Sequence, residues 1–454
     1  MTADETHSPE LRSWVEGANE RGCDFPIQNL PLGVGRVGRG EQPRLLVPIG
    51  SWALDLEAAL RAGLLDDLPA ELLETCGRVP ANALMSLQRR HWKALRLRLS
   101  YLLRSDGKLA AAARRRRADI LVPLADVEPV LPAAVGDYTD FYASLAHAYN
   151  VGRMFRPDRP LLPNYKWVPI AYHGRASTLL VSGAAVRRPW GQVQAGSAHP
   201  AFRPSERLDY EAEVGFYIGT GNFLGEPLTP AQAEDCIFGV CLLNDWSARD
   251  IQVWEYQPLG PFLSKNFATS LSPWIVTWEA LAPFRLPMPP RPAGDPDPLP
   301  YLALGPELAL RAAVSMRIEV FLRSRKMRES CLAPLRLSSA DLAELYWSPL
   351  QLLVHHASNG CLLRPGDLLG SGTVSGAIRG SEGCLLELAR RGEEPVRLPS
   401  GEERSFLEDG DEVIIRARCE REGFVSIGIG ECVGVVQPAG SFFERDMGPR
   451  DGTN

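Results

Sequence analysis

Apolar and polar residues alternate from Tyr210 to Ile218 (YEAEVGFYI). In a strand Tyr210, Ala212, Val214, Phe216 and Ile218 share one face, while Glu211 and Glu213 share the other, about 7 Å apart at the backbone. The same two-residue period returns at Met316–Leu322 and Glu412–Arg418. Residues 57–118 are dominated by Ala, Leu and Arg, and their pattern is helical. A further helix is marked by Pro349 near its start and by a stripe of Leu350, Leu353, Val354 and Ala357, with Asn359-Gly360 ending it. Between Phe25 and about Leu56, Pro/Gly-rich text with short apolar runs such as Arg44–Gly50 predicts a small β module with tight turns. Pro283–Pro300 is proline-dense and reads as a surface connection with little ability to join a sheet. The divisions that follow are a disordered lead-in (1–20), an N-terminal β module with a helical segment (21–125), a larger, mostly β part (126–440) and a tail (441–454).

Composition narrows the class. A chain of 454 residues with 45% hydrophobic and 23% charged content is an ordinary soluble globular protein with room for a large core. A net charge of −6 argues against a general nucleic-acid binder, and the basic run Arg114–Arg117 reads as a solvated face. Nine cysteines without a CxxC pair suit reduced thiols. The polar N-terminus lacks a signal-peptide core, and the apolar stretch at 120–135 is broken by charges and prolines, so a cytoplasmic protein free of membrane spans is expected.

The candidate chemistry lies in carboxylates, one histidine and a few cations. Asp140, Glu211, Glu213 and Asp245 are oxygen donors suited to a hard divalent cation. Glu211 and Glu213 alone would be an exposed strand face. Asp140 and His147, if helical, lie on one face about 10 Å apart, too far to share a ligand atom but able to flank a substrate. A lone histidine there is otherwise a core side chain. Asp245 ends an apolar run, where a carboxylate is costly unless paired, and Arg249, Gln252 and Tyr256 follow at helical spacing. Lys265 sits in apolar text, and Glu387 in a leucine-rich segment expected to be a strand. Histidine, arginine and lysine beside a cation are what metal-assisted hydrolysis of a carbonyl compound needs. His355-His356 diverge by about 100° on a helix and are no chelating pair. Gly370–Gly376 lacks the lysine of a phosphate loop.

Several stretches carry a resemblance: FPIQNLPLGV (25–34), GDYTDFY (136–142), YHGRAS (172–177), LDYEAE (208–213), the long run at 244–274, RPGDLLGSGTVSG (364–376) and DGDEVII (409–415). From about residue 24 to 438 the chain resembles the fumarylacetoacetate hydrolase family. The resemblance implies a mainly β fold with some α: an N-terminal SH3-like β-barrel domain, then a large mixed β-sandwich roll, in a homodimer. It implies cleavage of the C–C bond of the β-diketone 4-fumarylacetoacetate to fumarate and acetoacetate, the last step of tyrosine and phenylalanine breakdown. The alternative is a related acylpyruvate hydrolase or oxaloacetate decarboxylase. Asp140, Glu211, Glu213 and Asp245 match ligands of a calcium or magnesium ion, with manganese also suited. Lys265 and Thr269, with Asp245, match a second cation site. His147 matches the general base with Glu387 behind it, and Arg249 and Lys265 match groups around the leaving carbanion. Tyr142, Arg156, Tyr172, Gln252, Tyr256 and Thr373 match substrate contacts. Ser264 departs from the family, where glycine is common before the lysine.

Overall fold

The structure is a computed structural model that describes residues 2–38, 41–194, 196 and 199–442. Residues 443–454, most of the expected tail, lie outside the described residues. Helix and strand are nearly balanced, at 26% and 27%. The expectation of a mainly β chain is therefore corrected.

A thirteen-stranded sheet runs through the molecule. Its principal strands are β1 (Leu32–Val37), β2 (Arg44–Ile49), β3 (Trp52–Asp55), β4 (Leu121–Pro123), β5 (Tyr138–Phe141), β6 (Ala171–His173), β7 (Ala212–Ile218), β8 (Ile237–Asp245), β9 (Thr269–Leu271), β10 (Trp274–Thr277) and β11 (Leu368–Gly370). They lie in the order β4-β3-β2-β1-β10-β8-β7-β11-β5-β6, with β9 also paired to β8. The N-terminal strands were expected to close into an SH3-like barrel; they do not. β1 pairs with β10, Leu32 opposite Ile275 and Gly33 opposite Trp274. A Cβ on Gly33 would lie 2.2 Å from the Trp274 ring, so glycine is what admits this pairing. The edge that barrel closure would have satisfied is satisfied by another part of the chain, and the sheet stays open.

A second sheet of five strands joins the two alternating segments found in the sequence. Arg317–Arg323 and Glu412–Cys419 are antiparallel neighbours, with Ile318 opposite Ala417.

β7 is buried on both faces. Ala212, Val214, Phe216 and Ile218 join the larger core, together with Trp246 and Trp347. Tyr217 on the opposite face joins a second core, built largely by the N-terminal helices. The helix Arg89–Leu103 lays Trp92, Leu95 and Leu99 on that face, and Trp92 meets Phe238 edge-on at 5.0 Å. Each such side chain contributes about 1.5–3 kcal/mol of burial. The face that carries Glu213 is thus covered by protein, and the solvated strand face is excluded.

Residues 2–20 are packed, contrary to the expected disordered lead-in. Thr6, His7 and Val15 are buried. Arg96, itself buried, donates to the Thr6 hydroxyl at 2.9 Å and to the carbonyls of Asn29 and Gln28. His7 Nε2 lies 2.9 Å from the Glu279 carbonyl. A buried guanidinium needs these acceptors, and the lead-in supplies one of them. The helix expected near residue 349 spans Pro349–Ala357 behind a Ser348 cap. Arg114 and Arg117 stack over Trp14 and Trp52. All nine cysteines are free. Among the described residues no helix is long and apolar enough to cross a membrane.

Candidate active site

Strands β8, β7 and β5, the last two on either side of β11, and the turn before β7 bring four carboxylates together. Asp245 ends β8, Glu213 lies on β7, and Asp140 lies on β5, not on a helix as expected. Glu211 precedes β7 and is held by the Asn244 side chain, which accepts from its N–H at 3.1 Å. Oxygens of the four lie within 4.8 Å of one another, and all four residues are buried.

Between the strands of Glu213 and Asp140 runs β11, whose Gly370 sits opposite Asp140 and Gly215. A Cβ on Gly370 would fall 2.7 Å from Asp140 Oδ1 and 2.9 Å from Glu213 Oε2. The missing side chain is what lets carboxylates from either side converge. Gly370→Ala is accordingly expected to leave a folded protein whose divalent-cation affinity, measured by calorimetry, falls at least tenfold. An unchanged affinity would show that the carboxylates need no such gap.

The cluster carries more negative than positive charge. Lys265 Nζ donates to Glu211 Oε2 and Asp245 Oδ2, each at 2.5 Å, and Arg249 Nη1 donates to Glu211 Oε1 at 2.6 Å. Tyr172 donates to Asp245 at 2.7 Å and Thr269 at 3.2 Å. Burial opposes the Glu211 charge, but Lys265 and Arg249 outweigh it and hold its carboxyl well below the usual range. Asp140 and Glu213 have no such partner. Burial, and then the charge of neighbouring carboxylates, pushes both well above it. Asp140 Oδ1 and Glu213 Oε1 are buried without a hydrogen-bond donor. Orphaned oxygens beside like charges, with only oxygen donors around, fit a hard divalent cation. Burial lowers the Lys265 pKa, yet Asp245 and Glu211 more than offset this and raise it. Its ammonium is a donor only, so any part of Lys265 in a second cation site falls to its backbone carbonyl.

Across the cavity stands His147, on the helix Leu145–Phe155 whose first turn is capped by Ser144. Its Nδ1 lies 2.6 Å from Glu387 Oε2, with both side chains buried. Glu387 was expected on a strand but occupies a short helix, Leu385–Leu388. Ser375 donates to Glu387 Oε2 at 2.8 Å and Asn150 to Oε1 at 3.0 Å. Burial disfavours the Glu387 charge, but His147 and these donors hold its pKa down. With Nδ1 held by a carboxylate, Nε2 is the nitrogen left free to accept a proton.

Both assemblies border one cavity of about 410 Å³. Tyr142, Arg156, Tyr172, Gln252, Tyr256 and Thr373 line it. Thr373 Oγ1 is buried without a partner, and Tyr142 meets the His147 ring edge-on at 5.2 Å. Asp245 and Glu387 stand behind the lining and touch Lys265 and His147, which form part of it, and Thr269 stands behind Asp245.

Two family models match the chain: "Fumarylacetoacetase N-terminal" over residues 28–132 and "Fumarylacetoacetate (FAA) hydrolase C-terminal" over residues 138–437. The chain belongs to the fumarylacetoacetate hydrolase family. Fumarylacetoacetases of Oryza sativa subsp. japonica, Caenorhabditis elegans and Homo sapiens are 44%, 45% and 42% identical to it. The alignments cover 96%, 92% and 92% of this chain and 99%, 97% and 97% of theirs. The protein is therefore an enzyme of this family.

This member of the fumarylacetoacetate hydrolase family also places residues at the cavity that sequence reasoning missed. Arg207 and Arg391 line it, and neither they nor Arg156 pair with a carboxylate among the described residues. Asp209 lies inside the LDYEAE stretch but carries no spacing signal of its own. Asn150 and Ser375 reach Glu387 across 237 and 12 positions of chain, which no periodicity reports.

Proposed function

We propose that the protein hydrolyses the C–C bond of 4-fumarylacetoacetate, giving fumarate and acetoacetate in the breakdown of tyrosine and phenylalanine. The observation that carries this is the facing of a carboxylate-held histidine and a four-carboxylate cluster across one cavity with arginines at its wall. The near-full-length likeness to fumarylacetoacetases supports the substrate.

Asp140, Glu211, Glu213 and Asp245 would hold the cation. Calcium and magnesium suit this oxygen-only set, and manganese shares the preference. When bound, the ion supplies Lewis-acid polarisation of the diketone oxygens. His147 Nε2 takes a proton from water, and Glu387 stabilises the imidazolium that forms. The resulting hydroxide adds to the carbonyl carbon of the fumaroyl group, which becomes the new carboxylate of fumarate. Collapse of the tetrahedral adduct sends the C–C bonding pair to the acetoacetate carbon. The positive charges of Arg249 and Lys265 lie beside the position where that charge develops. A proton then completes acetoacetate. Arg156 and Tyr256 hold the terminal carboxylates, while Tyr142, Tyr172, Gln252 and Thr373 fix the chain between them.

We further propose a cytoplasmic homodimer with a two-part chain divided near residue 125; the two separate family-model regions, 28–132 and 138–437, support the division. Sedimentation at micromolar concentration tests the dimer. The reaction is tested by following the diketone absorbance of fumarylacetoacetate with magnesium or calcium, then with excess chelator. Cation-dependent loss with release of fumarate is expected. No turnover with cation present would overturn the assignment and direct the assay to acylpyruvates and oxaloacetate.

A further inference from the structure

One buried carboxylate ties the two halves of the site together. Asp209 is fully buried. Its Oδ2 takes the Arg249 guanidinium, at 2.9 Å from Nε and 2.8 Å from Nη2. The same guanidinium reaches Glu211 at 2.6 Å through Nη1. On its other side Asp209 accepts the N–H groups of Leu385 at 2.8 Å and Leu386 at 3.0 Å. Those amides open the short helix that carries Glu387, whose carboxylate holds His147. A continuous chain of charge-assisted contacts therefore runs from Glu211 through Arg249, Asp209 and the Leu385–Leu386 backbone to Glu387 and His147.

We propose that Asp209 is a positioning residue with two effects: it fixes the base dyad against the carboxylate cluster, and its charge offsets that of Arg249. The inference rests on the reading of the site given above. Four carboxylates face two cations in the cluster. Without the Asp209 charge, the whole guanidinium charge acts on Glu211, and the cluster holds a divalent cation less well. Without its bonds to Leu385 and Leu386, the short helix loses its tie to the cation side. A displacement on the order of 1 Å between reacting groups lowers turnover by about 100-fold. Charged acceptors of two or three backbone N–H groups are also hard to replace, because a neutral amide satisfies them only in part.

The test compares Asp209→Asn and Asp209→Glu with the parent in the whole protein. Asp209→Asn is expected to reduce kcat about 100-fold. It should weaken magnesium or calcium binding roughly tenfold by calorimetry, the fold-change of about one charge offset. It should also shift the N–H resonance of the His147–Glu387 hydrogen bond in histidine-labelled protein, although Asp209 touches neither residue. Asp209→Glu keeps the charge but displaces the Leu385–Leu386 backbone. It should restore cation affinity and leave kcat low. A variant that merely melts earlier, with cation affinity within twofold of the parent and the His147 resonance unshifted, overturns the proposal. If neither variant folds, Arg249→Lys breaks the chain one link earlier. An unchanged His147 resonance in that protein overturns the proposal, and a shifted one supports it. Cation affinity and the resonance are read without substrate, so they decide this point even if fumarylacetoacetate is not turned over.

Discussion

Replacing His147 with phenylalanine is expected to leave a folded, cation-binding protein whose hydrolysis is about 10²–10⁴-fold slower. The residue is held from three sides. Ser144 caps its helix, accepting from the His147 N–H at 3.2 Å and donating to the Ser375 carbonyl at 2.9 Å. Tyr142 packs against it in a T-shaped contact, and Glu387 fixes Nδ1. Phenylalanine fills the same space, so helix and cluster should stay in place while the proton acceptor is lost. Glu387→Gln is the sharper companion. Its amide can donate to Nδ1, which favours the tautomer with the proton on Nε2 and leaves no base facing the cavity. That change should approach the loss seen with phenylalanine. Single-turnover kinetics with a parallel cation titration makes the measurement. Near-full activity in either variant would remove the dyad from proton transfer.

Loss of the cluster's charge is the second large effect. Asp140→Asn and Glu213→Gln are each expected to weaken divalent-cation binding by more than about 100-fold, since even outer partners of metal ligands contribute 10–100-fold. The pH dependence of stability gives an independent reading. In the cation-free protein Asp140 and Glu213 have pKa values raised well above 3.8 and 4.5, by burial and then by neighbouring carboxylates. A raised acid binds its proton more tightly folded than unfolded. Its contribution is complete below the unfolded pKa and is lost as pH rises through the folded value. The chelated protein should therefore melt at progressively lower temperature from about pH 5 upward. A cation at about 100 times its Kd adds about 2.7 kcal/mol and should flatten that slope. A chelated protein whose melting temperature is level or rises from pH 5 to 8, with Asp140→Asn and Glu213→Gln no different, would argue against a shared cation.

Which parts of this were legible in the chain follows from how far each signal extends. Two-residue alternation marked β7 and the strands of the second sheet, because each period lies within a few residues. It could not show that the Glu213 face is covered, since the cover comes from the helix of Trp92, more than a hundred residues away. The Asp140-to-His147 stretch read as one helix. A strand ends at Phe141 and Ser144 starts the helix, so the break lies inside a segment too short for either period to declare itself. The leucines around Glu387 suited strand or helix equally for the same reason. The closed barrel came from resemblance, and no residue pattern spoke for it; the pairing of Gly33 with Trp274 decides against it. The four carboxylates were recognisable as donors by type and local wording. Asp209 was not, because its significance lies in contacts with Leu385 and Leu386, 176 and 177 positions along the chain.

The pairing of β1 with β10 has a practical side. A fragment beginning near residue 138 would expose the β10 backbone along Trp274 and Ile275, a bare apolar edge that invites another chain to add a strand. Such a fragment should aggregate during expression even though it carries every carboxylate of the cluster. For the same reason, limited proteolysis between the two family-model regions should yield nicked molecules whose pieces stay together, and heating should give one cooperative transition for the whole chain.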